Sequence, residues 1–169
     1  MTEVFYDPSG VDDMLEWVEI TNVGTSAVSL SGWSLGSGGL SYASSTLALS
    51  GTIPAGGCIV VGGPTSSSLN HFPSFAVAAD FMPDLENSGS TADGVALFNV
   101  AASSITPTTV PVDVVIYGFE NASGLIDETG GIGAVDVGDS SSSGRSIERT
   151  PTGWRIQTAP SPNDCTHAR

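Results

Sequence analysis

The stretch LEWVEITNVGTSAVSLSGWSL, Leu15–Leu35, decides the fold that the sequence predicts. Near its start, residues alternate between two faces with the period of two that is typical of a β-strand. Val18 and Ile20 fall on one face of this strand, and Trp17 and Glu19 fall on the other. We expect Val18 and Ile20 to enter the core. Trp17 and Glu19 are then expected to face outward, with Glu19 in solvent or in an ion pair.

A turn follows this strand, and the remaining chain repeats the same kind of pattern. Asn22-Val23-Gly24 tolerates positive φ angles and the chain returns through Ala27–Leu30, so we expect a β-hairpin here. No window has the apolar spacing of an amphipathic helix, which leaves an all-β sandwich or barrel. Further strands are predicted at Glu3–Tyr6, Trp33–Leu35, Thr46–Leu49, Cys58–Val61, Val95–Asn99, Val112–Tyr117, Arg145–Arg149 and Trp154–Ile156.

Length and charge narrow the classes of function. With 169 residues, 40% of them apolar and 13% charged, the chain fits a single globular domain over residues 1–169. Its 18 acidic residues face four basic ones, all arginines, for a formal net charge of −14. Such a protein repels nucleic acids, because non-specific affinity for them comes from Lys and Arg. We therefore expect no nucleic-acid partner, and no apolar run is long enough for membrane insertion.

The two cysteines indicate in which cellular compartment the protein is found. Cys58 and Cys165 are too far apart for a CxxC redox pair or a zinc knuckle. A surface built from Ser, Thr, Gly and Asn is common in secreted proteins, where disulfides persist. We predict a Cys58–Cys165 disulfide and a secreted or cell-surface location; the alternative is two unrelated free thiols. Because the sequence starts directly on a strand-like run, we also expect a signal peptide or another domain upstream in the parent protein.

Seven motifs and a closing segment, in this order, resemble a bacterial lamin-tail domain. They are EVFYDP at Glu3–Pro8, EWVEITN at Glu16–Asn22, VSLSGWSL at Val28–Leu35, IPAGGCIVV at Ile53–Val61, DGVALFN at Asp93–Asn99, VDVVIYG at Val112–Gly118, RSIER at Arg145–Arg149 and PSPN at Pro160–Asn163. The resemblance implies an immunoglobulin-like β-sandwich with long loops and little or no helix. It also implies a domain of secreted or surface proteins without catalytic residues of its own.

This resemblance sets the expected function. We expect a non-catalytic structural, adhesive or protein-binding module that is a monomer in isolation and binds an unknown protein or glycan. The alternative is a carbohydrate-binding or calcium-stabilised accessory domain of a secreted hydrolase. The residues agree that the chain is not an enzyme, because the sequence has two histidines and no GxSxG nucleophile motif. No cofactor other than calcium is expected.

Acidic residues near the first turn are the candidate calcium ligands. Asp7, Asp12, Asp13 and Glu16 place four carboxylates within ten residues of a glycine-containing turn. Calcium takes six to eight oxygen ligands, and carboxylates crowded without a cation repel one another. The spacing matches neither an EF-hand nor a glycine-rich nonapeptide repeat. The alternative is that these acids are solvated turn residues.

Two further predictions concern an ion pair and a binding loop. Asp113 lies in an apolar run where an unpaired carboxylate is costly, so we expect it to pair with Arg149, which has Glu19 or Glu148 as alternative partners. The loop Leu69–Asp84 carries Phe72, Phe75 and Phe81, which offer an aromatic surface for a peptide or glycan. The alternative is that these three rings fold back over one end of the sandwich as a satellite cluster.

Overall fold

The computed structural model describes residues 1–87, 89–140 and 142–166, and it shows an immunoglobulin-like β-sandwich. Helical structure in these residues is limited to two 3₁₀ turns, at Ser68–Asn70 and Ala102–Ser104. The strands are β1 Glu3–Asp7, β2 Trp17–Thr21, β3 Val28–Ser29, β4 Ser34–Ser37, β5 Ser45–Ala48, β6 Thr52–Ile53, β7 Cys58–Gly62, β8 Phe75–Ala78, β9 Ala92–Phe98, β10 Asp113–Gly118, β11 Val137–Gly138, β12 Arg145–Thr150 and β13 Gly153–Gln157.

Two main sheets form the sandwich. One has six strands in the order β13-β12-β1-β2-β7-β8, and the other has five in the order β11-β10-β9-β4-β5. The core between them contains the inward face of β2, with Val18 fully buried and Ile20 4% exposed, as the alternation predicts. Val4 from β1, Val61 from β7 and Val95 from β9 pack in the same cluster.

The predicted hairpin after β2 is wrong. β3 does not pair with β2 but with β6, in a separate two-stranded sheet. Both edges of β2 are already occupied, because β1 lies on one side and β7 on the other. The Asn22 side chain redirects the chain at this point, since its amide donates to the carbonyl oxygens of Ser26, Ile53 and Pro54.

The outer face of the six-stranded sheet also differs from the prediction. Trp17 and Glu19 are both fully buried instead of facing solvent. Trp17 stacks on Phe5 with 5.5 Å between ring centroids, and its indole Nε1 donates to the carbonyl oxygen of Asn70 at 3.1 Å. The loop between β7 and β8 therefore covers this end of the face, a contact that alternation within one strand cannot predict.

The C-terminal segment covers the other end of this face. The structure contains a Cys58–Cys165 disulfide, which fixes the segment to β7 across 107 positions of sequence. Beneath the segment lies a row of three buried glutamates, Glu148, Glu3 and Glu19, which face one another across β12, β1 and β2. We call these three residues the glutamate row. Of the two alternatives predicted for Glu19, the solvated side chain is excluded because the tail covers the strand.

Candidate functional site

Two segments of the chain bring acidic side chains together at one end of the sandwich. One carboxylate oxygen each of Asp13, Asp80 and Asp84 lies within 4.8 Å of the other two. Asp12 and the buried Glu16 interact electrostatically with this group, since both feel the charge of Asp84. We call these five residues the acidic end. Both segments lie at the same end of the sandwich because β2 begins and β8 ends there.

Hydrogen bonds hold the segments in place. Asp80, two residues after β8, accepts a hydrogen bond from the backbone nitrogen of Met14 at 3.1 Å, which ties its segment to Asp13. Burial raises the pKa of Asp80, and the nearby Asp13 carboxylate raises it further. Burial also raises the pKa of Asp84, with the charges of Asp80 and Asp13 adding to the effect. The three carboxylates therefore repel one another when no cation is present.

Glu16 lies next to this group and is almost fully enclosed, with 2% of its surface exposed. Its Oε2 accepts a hydrogen bond from the backbone nitrogen of Leu85 at 2.7 Å, so the carboxyl lies against the segment that carries Asp84. Its Oε1 is buried and has no partner among the described residues. Burial raises the pKa of Glu16 to about 9, with added repulsion from Asp84, Asp12 and Asp80, although the Leu85 hydrogen bond opposes the shift.

The candidate ligands from the sequence are only partly brought together. Asp12, Asp13 and Glu16 belong to the acidic end, but of these only Asp13 is one of the three clustered carboxylates. The Asp7 carboxylate is not one of the three clustered carboxylates. Its Oδ1 accepts a hydrogen bond from the side-chain amide of Asn87 at 3.3 Å. Sequence analysis missed Asp80 and Asp84, which lie more than 60 positions from Glu16. The only local signal is DFMPD at 80–84, two aspartates four positions apart around a proline.

A second polar region surrounds Arg149. Its Nη2 donates to Asp113, which also pairs with the amino group of Met1. The guanidinium Cζ lies 5.0 Å from the centroid of the Trp154 ring, and Nε is buried with no partner among the described residues. Beside these groups is a cavity of about 370 Å³ that is also lined by Asp127, Glu128 and Asp136.

The three phenylalanines of the predicted binding loop do not form one surface. Phe81 is 2% exposed and belongs to the main core. Phe75 lies in β8, a strand that sequence analysis missed, and packs against Phe5 and Trp17. Phe72 alone of the three is exposed, with 68% of its surface accessible. The rings therefore form neither the single aromatic surface nor the satellite cluster that the sequence suggested.

Phe72 is presented by a loop that is held from beneath. The fully buried Asn70 donates its amide to the carbonyl oxygens of Leu15 and Thr65, and its Oδ1 accepts from the backbone nitrogen of Ser67. After it, the backbone of Phe72 has a φ of 56°, in the left-handed region that bulky residues rarely adopt. Such strained positions persist where the surrounding structure fixes them.

β8 follows this loop and forms one edge of the six-stranded sheet. Its sequence, FAVA, carries no charge, and the side chains of Ala76 and Ala78 are exposed. The opposite edge strand, β13, carries Arg155, and β11 of the other sheet has two residues. β5 also lacks charge, but it lies against the 3₁₀ turn Ala102–Ser104. β8 is therefore the main-sheet edge with the fewest features that prevent strand pairing.

Comparison with known proteins gives one match. The family model described as Lamin Tail Domain matches residues 1–119, which include β1 to β10. No curated protein and no solved structure matches the chain. Among the described residues, no helix has the length and apolar character needed to cross a membrane.

Proposed function

The chain belongs to the lamin tail domain family, and from this premise we propose that it is a non-catalytic protein-binding module of a secreted or cell-surface bacterial protein. The observation that carries the proposal is the uncharged edge of β8 beside the exposed Phe72. An extended peptide from a partner protein would add to β8 as a further strand. Main-chain hydrogen bonds then supply affinity, and side-chain contacts supply specificity.

The contacts around β8 support this role. Ala76 and Ala78 leave room above the strand, while the half-buried Phe75 and Val77 fix it to the sheet. Phe72 adds a large apolar side chain at the entry to the strand, and aromatic residues are enriched in protein interfaces. Because Asn70 already fixes this loop, little conformational entropy is lost when a partner binds.

The disulfide supports a location outside the cytosol, where thiol pairs remain oxidised. We also propose that residues 1–169 form one folding unit. β12 and β13 lie beyond the matched residues 1–119, yet β12 pairs with β1 in the six-stranded sheet. Thermal unfolding followed by far-UV and near-UV circular dichroism would then give one coincident transition. Two separated transitions would contradict a single unit.

The binding role is tested with matched edge variants. Immobilised wild type, Ala76→Lys, Phe72→Ser and Ala48→Lys chains are incubated with native surface extract of the source organism, and retained proteins are identified by mass spectrometry. Lysine on an edge strand blocks strand addition, and Ala48 is the equivalent exposed alanine on edge strand β5. We expect wild type and Ala48→Lys to retain the same protein, and Ala76→Lys and Phe72→Ser to lose it. Equal retention by Ala76→Lys would reject the proposed edge.

The cavity beside Arg149 favours glycan binding as a second candidate function. Trp154 is half-buried and offers an apolar ring, while Asp127 and Glu128 offer acceptors for sugar hydroxyls. The Nε of Arg149 is a buried donor without a described partner. This combination of an aromatic ring with a few convergent polar groups is typical of small-ligand sites.

Isothermal titration with neutral oligosaccharides tests this second function. Binding that disappears in Trp154→Ala and persists in Ala76→Lys would assign the cavity to a glycan. The absence of heat with every oligosaccharide, together with loss of the protein partner in Ala76→Lys, would leave protein binding as the function.

A further inference from the structure

The acidic end has the composition of a cation site. Its three clustered oxygens, from Asp13, Asp80 and Asp84, lie within 4.8 Å of one another. Oxygens that contact one calcium ion at about 2.4 Å lie at most about 4.8 Å apart, so the three carboxylates fit a single ion of this size. Acidic residues also cluster without any ion, so this geometry needs independent support.

Glu16 gives that support. It is 98% buried, since 2% of its surface is exposed, and Oε1 has no partner among the described residues. Its other oxygen accepts a hydrogen bond from the backbone nitrogen of Leu85, the residue after Asp84, and the carboxyl lies near enough to feel the charges of Asp84 and Asp80. A buried polar atom without a partner is rare in native proteins and calls for an ion or a water molecule. Here the neighbouring side chains are carboxylates, which a cation would bind.

Protein cations do not fill this role within the residues that the structure describes. The ion pairs found in 1–87, 89–140 and 142–166 join Arg149 and the Met1 amino group to Asp113, and Arg155 to Glu148. None of them reaches the acidic end. Since no described ion pair involves these acids, an external cation is the source of positive charge that the proposal requires.

We propose that Asp13, Asp80 and Asp84 form a calcium site beside the buried Glu16 carboxyl, which joins the start of β2 to the segment after β8. Calcium suits the arrangement because it accepts six to eight oxygen ligands in flexible geometry, and backbone carbonyls and water complete the shell. Magnesium demands near-ideal octahedral geometry and keeps several waters. The proposal does not depend on what binds at β8.

Thermal melts of the full chain test the site. The melting temperature of the wild type is measured in EDTA, in CaCl₂ and in MgCl₂ at constant ionic strength. A site filled to about a hundred times its Kd raises the melting temperature of a chain of this size by about 5–11 °C. We expect this rise with calcium and a smaller one with magnesium. No rise with calcium, or an equal rise with magnesium, would overturn the proposal.

Variants then locate the site. Asp80→Asn and Asp84→Asn are expected to lose the calcium-dependent rise while melting at or above the wild-type temperature in EDTA, because each removes repulsion. Glu120→Gln removes one charge from an exposed residue outside the acidic end, and it should keep the full rise. A rise retained in Asp84→Asn, or lost in Glu120→Gln, would show that calcium acts elsewhere. Isothermal titration should find one calcium per wild-type chain and none for a chain that carries both Asp80→Asn and Asp84→Asn.

Discussion

The glutamate row and the acidic end are both groups of carboxylates in a chain with few basic residues, but they differ in their hydrogen-bond donors. In the row, Glu19 accepts from the hydroxyl of Thr2 at 2.9 Å and from the backbone nitrogen of Asn163 at 2.8 Å. At the acidic end, Glu16 has one donor, the backbone nitrogen of Leu85, and its second oxygen has none among the described residues.

The difference lies in what covers each group. The C-terminal segment supplies donors to the row, since Ser161 donates its backbone nitrogen and its hydroxyl to Glu3. From β13, the side-chain nitrogens of Arg155 and Gln157 donate to the carboxylate of Glu148. A buried carboxyl with hydrogen-bond partners for both oxygens is satisfied by the fold alone, whereas a buried oxygen without a partner, such as Oε1 of Glu16, calls for a water molecule or an ion. The comparison therefore separates structural acids from candidate ligand-binding acids in the same protein.

Removing the disulfide is the change from which we expect the largest effect on the glutamate row. In the Cys58→Ser/Cys165→Ser variant the segment that satisfies the row is no longer tied to β7. A cross-link that closes a loop of about a hundred residues contributes about 4–5 kcal/mol in the chain-entropy treatment. We expect a loss of this size in the free energy of unfolding measured by urea denaturation.

Dithiothreitol offers a control for this prediction. The reductant should lower the midpoint of wild-type unfolding towards that of the double variant and leave the variant unchanged. A double variant as stable as oxidised wild type would show that the tail holds the row without its covalent link.

Glu19→Ala probes the row itself. The substitution removes the side-chain acceptor of the partly buried backbone nitrogen of Asn163 and of the buried Thr2 hydroxyl, which keeps its contacts with the Glu19 carbonyl oxygen and the Thr21 hydroxyl. An unsatisfied buried donor costs about 1–3 kcal/mol, and the Thr2 hydroxyl keeps other partners, so we expect a destabilisation of about 2 kcal/mol by urea denaturation. The exposed Glu120 provides the matched control, because Glu120→Ala should change stability by less than about 0.5 kcal/mol. If Glu19→Ala and Glu120→Ala changed the free energy of unfolding equally, the hydrogen bonds of the row would not contribute to stability.

Most of the longer strands of the fold could be predicted from sequence, but several of their partners could not. Alternation is local, so it located β1, β2 and β7 and assigned Val18 and Ile20 to the core. Pairing depends on distant segments, which is why the expected hairpin after β2 is wrong. β8 was missed because FAVA is short and lies between loops that contain Pro and Asp.

The candidate sites show the same limit. The sequence could identify Asp13 and Glu16 because they lie in one acidic turn, but nothing local connects them to Asp80 and Asp84. Likewise, alternation placed Glu19 opposite the core without revealing that Asn163 would cover it. Carboxylates that look alike in the sequence therefore acquire their roles from segments that arrive from elsewhere in the chain.

Asp113→Asn tests an intermediate case, in which a partly exposed carboxylate forms an ion pair with an arginine. The change weakens the pair with Arg149, whose side chain is 35% exposed, while that of Asp113 is 20% exposed. Solvent screens a pair that is partly exposed, so we expect a loss of about 1 kcal/mol in urea denaturation, less than for Glu19→Ala. Asp164→Asn, in the exposed tail, is the matched control and should have no measurable effect. Unchanged stability of Asp113→Asn would mean that this pair contributes nothing to the fold.

The smallest expected effect concerns the sign of Asp84→Asn in the absence of calcium. If Asp84 repels Asp13 and Asp80, the substitution stabilises the chain in EDTA by about 0.5 kcal/mol at low salt, a size typical of exposed charge pairs. Because salt screens charges across a Debye length of about 3 Å at 1 M, the gain should shrink as NaCl is raised. Urea denaturation of variant and wild type across a NaCl series measures this dependence. A gain independent of salt would come from packing, and a loss at low salt would mean that Asp84 already has a donor, as the glutamates of the row do.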